Sequence, residues 1–196
     1  MTDRASVAIL ISGRGSNMQS LVRATQVPGF PARIVGVISN KPDAAGLDFA
    51  RSLGLPTAVV QLKSHPDKDA ADAAITRQLE DWGAEWVCLA GFMRVLSAGF
   101  TRRWQGRLLN IHPSLLPKYK GLDTHQRALD AGDTEHGCTV HQVIPELDEG
   151  PVISQVRVPI FPGDDAETLA ARVLIEEHKL YPAALAKAIR ESRSGD

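Results

Sequence analysis

A chain of 196 residues is long enough for one sizeable domain with its own core. Its 43% hydrophobic and 23% charged residues are those of an ordinary globular protein, which excludes the disordered and fibrous classes, and no stretch is long enough to span a bilayer. A formal net charge of −1 leaves no global basic field, so neither nucleic acid nor a membrane is expected as a partner.

In chain order, Met1-Thr2-Asp3-Arg4 leads into an apolar run too short for a secretory signal, and the first strand is expected over residues 7–11. It runs into Ser12-Gly13-Arg14-Gly15-Ser16-Asn17 and then a helix over 17–24. One reading of this loop is a tight turn with Ser16 as helix N-cap. The other is a phosphate cradle, since glycines admit a ligand to the backbone and a helix start offers free N–H groups and a positive dipole end. A dinucleotide fingerprint would need a third glycine where Met18 stands and an acidic residue after the second strand, which ends instead in Ser39-Asn40. The Gly-Lys-Ser/Thr ending of a nucleotide P-loop is also missing. A monophosphate on a small molecule fits better than NAD or ATP.

Further strands are expected over 33–39, 57–61, 86–90, 107–112, 139–143 and 152–158, and further helices over 44–53, 67–82, 98–104, 124–131 and 165–190. Gly54, Gly83 and Gly132 follow three of the helices, as helix-stopping glycines do. The last helix opens on Asp164-x-x-Glu167, a capping pattern. This alternation predicts a single α/β domain over 1–190. It is Rossmann-like, a mostly parallel twisted sheet of about seven strands with helices on both faces. A polar C-terminal tail follows over 191–196. Cys88 and Cys138 lie inside apolar runs, which fits packing in a reducing compartment and a cytoplasmic location better than a disulfide framework.

The chemistry concentrates at the end of the fifth expected strand, Arg107-Leu108-Leu109-Asn110-Ile111-His112, followed by Pro113 and Pro117. Residues two apart in a strand share a face, so Asn110 and His112 aim together. An amide donor and a group that titrates near neutrality suit oxyanion stabilisation and proton transfer. The bland alternatives are a structural histidine and an Asn that ends its strand through its own backbone. Asp148, in Pro145-Glu146-Leu147-Asp148-Glu149-Gly150-Pro151, is either a turn-forming carboxylate or the partner that favours a His112 imidazolium. Glu177 falls on the apolar stripe Leu169, Val173, Leu180 of the last helix, at the core rim or aimed at a cationic group. His125, His136, His141 and His178 show no metal-ligand spacing, so no metal is expected. Neither cysteine sits in a nucleophile motif, so a direct transfer is expected. In an open sheet of this kind the glycine loop, Gly91-Phe92-Met93 and Asn110–His112 all fall at the carboxyl ends of strands, where ligands bind.

Taken together, Leu10–Asn17, Ser39-Asn40-Lys41, Leu89–Leu96, Leu109–Tyr119, Glu135-His136-Gly137, Glu146–Val152 and Glu177-His178 resemble the glycinamide ribonucleotide formyltransferases of the folate-dependent formyltransferase family. The resemblance implies that 10-formyltetrahydrofolate is the co-substrate. Its formyl group would pass to the primary amine of glycinamide ribonucleotide, in purine synthesis, through a tetrahedral intermediate. It implies that Asn110, His112 and Asp148 are catalytic, and that Gly15, Ser16 and Asn17 bind the substrate phosphate with Glu177 at the amine end. Met93, Arg94, Val95 and Leu96 would form the backbone wall of a pterin pocket that Asn110 also borders. Lys68 would face the folate glutamate tail, and the Leu116–Pro117 bond would be cis. Asp123, where some members carry His, is given no role. The protein is expected as a monomer or homodimer. Rival readings are another 10-formyltetrahydrofolate-dependent formyltransferase or hydrolase, and a non-catalytic phospho-ligand sensor.

Overall fold

The computed structural model describes residues 4–195. Strand β1 (Ala5–Ile11) is buried along its whole length, as an uncharged run walled by helices on both faces should be. It is followed by α1 (Ser16–Thr25), β2 (Ala32–Ser39), α2 (Ala45–Ser52), β3 (Thr57–Val59), a short 3₁₀ turn (Leu62–Ser64), α3 (Lys68–Asp81) and β4 (Trp86–Leu89). Then come α4 (Ala98–Arg103), β5 (Leu108–His112), α5 (Thr124–Asp130), β6 (Glu135–Gln142), β7 (Val152–Pro159) and α6 (Ala166–Ser194).

The seven strands form one sheet in the order β3-β2-β1-β4-β5-β6-β7. The first five run parallel, and β6 and β7 are antiparallel to their neighbours. The chain order reverses between β1 and β4, so the crevice of this fold opens at their carboxyl ends. Strand parity divides the core. Val7, Ile9, Ile11, Cys88, Leu109 and Ile111 face Met18 and Leu21 of α1, Leu47 of α2, and Val173, Leu180 and Tyr181 of α6. Ala8, Leu10, Val87 and Leu108 face Ile75 and Leu79 of α3, Phe100 of α4 and Trp104, the residue that caps α4. The buried hydroxyl of Tyr181 lies 2.9 Å from the Leu89 carbonyl and 3.1 Å from that of Leu109, tying α6 to the ends of β4 and β5.

The elements expected from sequence are all present, with shifted ends. The strand expected over 57–61 stops at Val59, because Gln61 already caps the 3₁₀ turn. Strand β6 begins four residues before the expected 139, at Glu135, and so takes in His136, Gly137 and Cys138. Helix α6 continues to Ser194, carrying the start of the polar tail in helical form. Its N-cap is Asp165, which accepts from the Thr168 N–H at 2.7 Å. Asp164, the cap expected from sequence, instead accepts from the Phe161 N–H and pairs with Arg172. Gly54, Gly83 and Gly132 all take positive φ at helix ends, as expected.

Candidate active site

Asn110 and His112 share a face of β5, and His112 is buried with 6% exposure. His112 Nδ1 lies 3.5 Å from Asp148 Oδ2, and its Nε2 lies 2.8 Å from the Tyr119 carbonyl oxygen. Nε2 therefore carries a hydrogen and donates it. The Nδ1 edge faces the carboxylate. Asp148 itself stands in the left-handed region (φ 53) and accepts from the Gly121 N–H at 2.9 Å. Asp148 is thus a turn residue that also comes within reach of His112. A cavity of about 210 Å³ opens beside it, lined by Leu116, Pro117, Lys120, Asp148, Glu149, Gly150 and Val152. A larger groove of about 580 Å³ between α3 and α4 includes none of the expected site residues. Of the expected site residues the smaller cavity is lined by Asp148. The Leu116–Pro117 bond is cis, as the resemblance implies.

His141 belongs to this cluster, although nothing in its spacing marked it. It is Asn110's cross-strand neighbour in the antiparallel β5–β6 pair. Its Nε2 lies 3.3 Å from Asn110 Nδ2 and 3.7 Å from Asp148 Oδ1. Burial lowers its pKa below the usual 6.5, against the opposing pull of the Gln142 carbonyl and Asp148. The signal that finds it is the strand direction, which the sequence does not state.

The glycine loop sits at the carboxyl end of β1. Gly15 occupies the cap position of α1 at φ 68, and no side chain caps this helix. Ser16 is the first helical residue and not the cap, so the tight-turn reading with a Ser16 cap is displaced. The N–H groups of the first turn of α1 have no intrahelical acceptors and make an open cradle of donors, an arrangement that suits an anion. Gly13 turns its carbonyl away from that cradle, accepting from the Gly46 N–H of α2 at 3.0 Å. Ser12, also unmarked by the sequence, ties three strand ends together. Its hydroxyl lies 2.5 Å from Asn40 Oδ1 and accepts from the Met93 N–H at 2.8 Å, and its own N–H donates to the Gly91 carbonyl.

Glu177 is buried and faces an amide, not a cation: Asn17 Nδ2 donates to its Oε2 at 2.8 Å. Burial raises the Glu177 pKa above the usual carboxylate value, and the Asn17 hydrogen bond opposes that rise. The Asn17 Oδ1 is buried without a protein partner. Both residues lie on the α1/α6 side of the sheet, whereas Asn110 and His112 alternate with Leu109 and Ile111 and point to the opposite side.

Met93 and Val95 are exposed in the loop after β4, while Leu96 is buried in the α3/α4 core. The Arg94 side chain turns inward to pair with Asp72, whose other oxygen accepts from the Ser97 N–H at 2.6 Å. The Arg94 Nε and Nη1 are buried without a protein partner. Lys68 opens α3 directly after the cap Asp67, on a different element from the His112 cluster.

The sequence profile of the formyl transferase family matches residues 5–185. The phosphoribosylglycinamide formyltransferase of Escherichia coli strain K12 is 46% identical over 177 residues, 90% of this chain and 84% of that protein. The trifunctional purine biosynthetic protein adenosine-3 of Bos taurus is 52% identical over 182 residues; the alignment covers 93% of this chain but spans only 18% of that longer protein. Among solved structures, the phosphoribosylglycinamide formyltransferase from Brucella melitensis superposes with a TM-score of 0.92 at 53% identity, over 95% of this chain and 96% of that one.

Proposed function

Because the chain belongs to the formyl transferase family, we propose that it transfers the formyl group of 10-formyltetrahydrofolate to the primary amine of glycinamide ribonucleotide, a step of purine biosynthesis. The observation that carries this reading is the convergence of Asn110, His112 and Asp148 beside a small cavity, at the same sheet edge as an uncapped, glycine-led helix start.

In this reading the substrate phosphate sits on the backbone of Gly15, Ser16 and Asn17. Asn17 Oδ1 and the Glu177 carboxylate accept hydrogen bonds from the adjoining sugar hydroxyls. The pairing of Glu177 with Asn17, in the first turn of α1, supports a role nearer the ribose than the amine end. The amine then reaches over the carboxyl edge of the sheet to the Asn110–His112 face. As it attacks the formyl carbon, charge develops on the formyl oxygen. Asn110 donates an amide hydrogen to that oxygen, and the His112 imidazolium, held by Asp148, supplies positive charge; preorganised donors of this kind contribute roughly 10²–10³ in rate each. The attacking nitrogen loses a proton and the departing folate nitrogen gains one. His112 and Asp148 are the groups placed to carry that proton. The backbone of Met93, Arg94, Val95 and Leu96 walls the pterin, and Lys68 faces the glutamate tail with a single charge instead of a bidentate fork.

The test is absorbance-monitored turnover of a formyl-folate analogue with and without glycinamide ribonucleotide. Turnover that requires the amine supports the transfer. Turnover without it marks a hydrolase, and its absence in both arms, with phosphate binding intact, marks a sensor.

A further inference from the structure

The segment between β5 and α5 touches both catalytic side chains. The Tyr119 carbonyl accepts from His112 Nε2 at 2.8 Å, and two residues later the Gly121 N–H donates to Asp148 Oδ2 at 2.9 Å. The geometry of the catalytic pair is therefore set by how this short stretch of backbone is held. Tyr119 has a φ of 54, a conformation that bulky L residues rarely adopt without an outside constraint.

The constraint is visible. The Tyr119 hydroxyl donates to Asp133 Oδ2 at 2.7 Å, and Lys118 Nζ donates to both Asp133 oxygens at 3.0 and 3.1 Å. One carboxylate thus grips two consecutive residues, and only 19% of its side chain is exposed. Asp133 follows Gly132, the glycine just past α5, so the grip comes from the turn that leads from α5 into β6. Arg127 of α5 completes it, donating to the Lys120 and Leu122 carbonyls with its guanidinium 5.3 Å from the centre of the Tyr119 ring.

We propose that Asp133, acting through Tyr119, is a positioning residue for His112. It fixes the Tyr119 carbonyl that holds the hydrogen on Nε2, and so reserves Nδ1 for exchange with Asp148. Asp133 touches no substrate. Its effect is on which His112 nitrogen carries the hydrogen and on where the ring points. The inference rests on the catalytic reading of His112, and two readouts keep the two ideas apart.

The first readout is the ¹⁵N shift pattern of the His112 ring, which reports the tautomer in the ligand-free protein. The second is steady-state kinetics. Tyr119→Phe deletes the hydroxyl bond and leaves the Lys118–Asp133 pair in place. It should reduce the Nε2–H population and lower kcat about 5–50-fold, with both KM values within about twofold, in line with the cost of small misplacements in an active site. Asp133→Ala should reproduce this loss, and Asp133→Asn, which keeps an acceptor for the hydroxyl, should recover most of it. If Asp133→Ala does not fold, Tyr119→Phe decides alone. An unchanged ring pattern in Tyr119→Phe, with kcat within twofold of wild type, overturns the proposal. A changed ring pattern without loss of turnover upholds the positioning and removes His112 from catalysis. Loss of turnover in His112→Ala, with the ring unmoved in Tyr119→Phe, does the reverse.

Discussion

Asn110 Nδ2 and His141 Nε2 are 3.3 Å apart across the β5–β6 pair, and this contact fixes the state of both side chains. His141 Nδ1 lies 2.9 Å from the Gln142 carbonyl, so it holds the ring hydrogen and Nε2 presents a lone pair. Asn110 gives one amide hydrogen to that lone pair and keeps the other for the site. His141→Leu preserves bulk and removes the acceptor, leaving the Asn110 amide free to turn. Turnover should fall roughly 10-fold or more, within the range for disturbing one oxyanion donor, while both substrates still bind. Comparing kcat with calorimetric Kd values checks this, and equal losses in both would remove Asn110 orientation as the cause.

Stability should depend on pH through the histidines behind the site. His136 is buried at 1% exposure, its ring 5.1 Å from that of His125, and burial holds its pKa down at about 4. His125 is shifted in the same direction by burial and by the charge on His112. A histidine whose folded pKa lies below its unfolded value of 6.5 binds a proton more readily when unfolded. Its contribution is fully present above pH 6.5 and is lost as pH falls towards about 4, where the folded state also protonates. The full loss for His136 is at most roughly 3 kcal/mol. Urea midpoints between pH 7 and 4 should fall, and His136→Phe should flatten that slope.

The turn bearing Asp148 is welded to β6 by a glycine. A Cβ at Gly150 would lie 1.7 Å from the Gln142 carbonyl oxygen, a backbone atom with nowhere to go. Gly150→Ala therefore has to push the turn off β6 and carry Asp148 away from His112. It should lower turnover as much as Asp148→Asn does, by a factor of about 10² or more for a displaced acid–base partner. It should also lower stability, which Asp148→Asn should do far less. Parallel kinetics and thermal melts of the two variants separate displacement of the carboxylate from loss of its charge.

Asp148 also shows what the sequence could and could not convey. Its turn was legible from Pro145, Gly150 and Pro151, and the strand–helix alternation carried the sheet and all its elements, because periodicity is local. Asn110 and His112 were legible because strand parity alone puts them on one face. His141 and Ser12 were not. His141 meets Asn110 only because β6 runs antiparallel to β5 in one particular register, and Ser12 meets Asn40 and Met93 only because β1, β2 and β4 end side by side. The inward turn of the Arg94 side chain was not legible for the same reason, since Asp72, with which it pairs, lies on a separate helix. Long-range pairing has no signature in a local window.

The glycine loop gives a test that separates the two proposed ligands. Gly15 has φ 68, and an added Cβ would meet Met18 Cε at 2.8 Å. Gly15→Ala strains the turn and shifts the N–H groups behind it. Affinity for glycinamide ribonucleotide should fall by about 10-fold or more, the loss expected when charge-assisted hydrogen bonds are disturbed, with folate affinity within about twofold. Calorimetry with each ligand separately is the measurement, and matched losses would show that the loop serves no one ligand.

Tyr181 has a consequence for the order in which the site can be built. Its hydroxyl bridges the ends of β4 and β5, and Glu177, one turn earlier, meets Asn17 of α1. Both come from α6, which follows all seven strands in the chain. As the chain leaves the ribosome, the glycine loop, the Met93 loop and the Asn110–His112 strand emerge long before the helix that joins them. A nascent chain stalled before Tyr181 would hold His112 and the glycine loop without the brace between them, and on the proposed function should bind neither ligand. Competence should therefore arrive in one step, when α6 docks, instead of accumulating strand by strand.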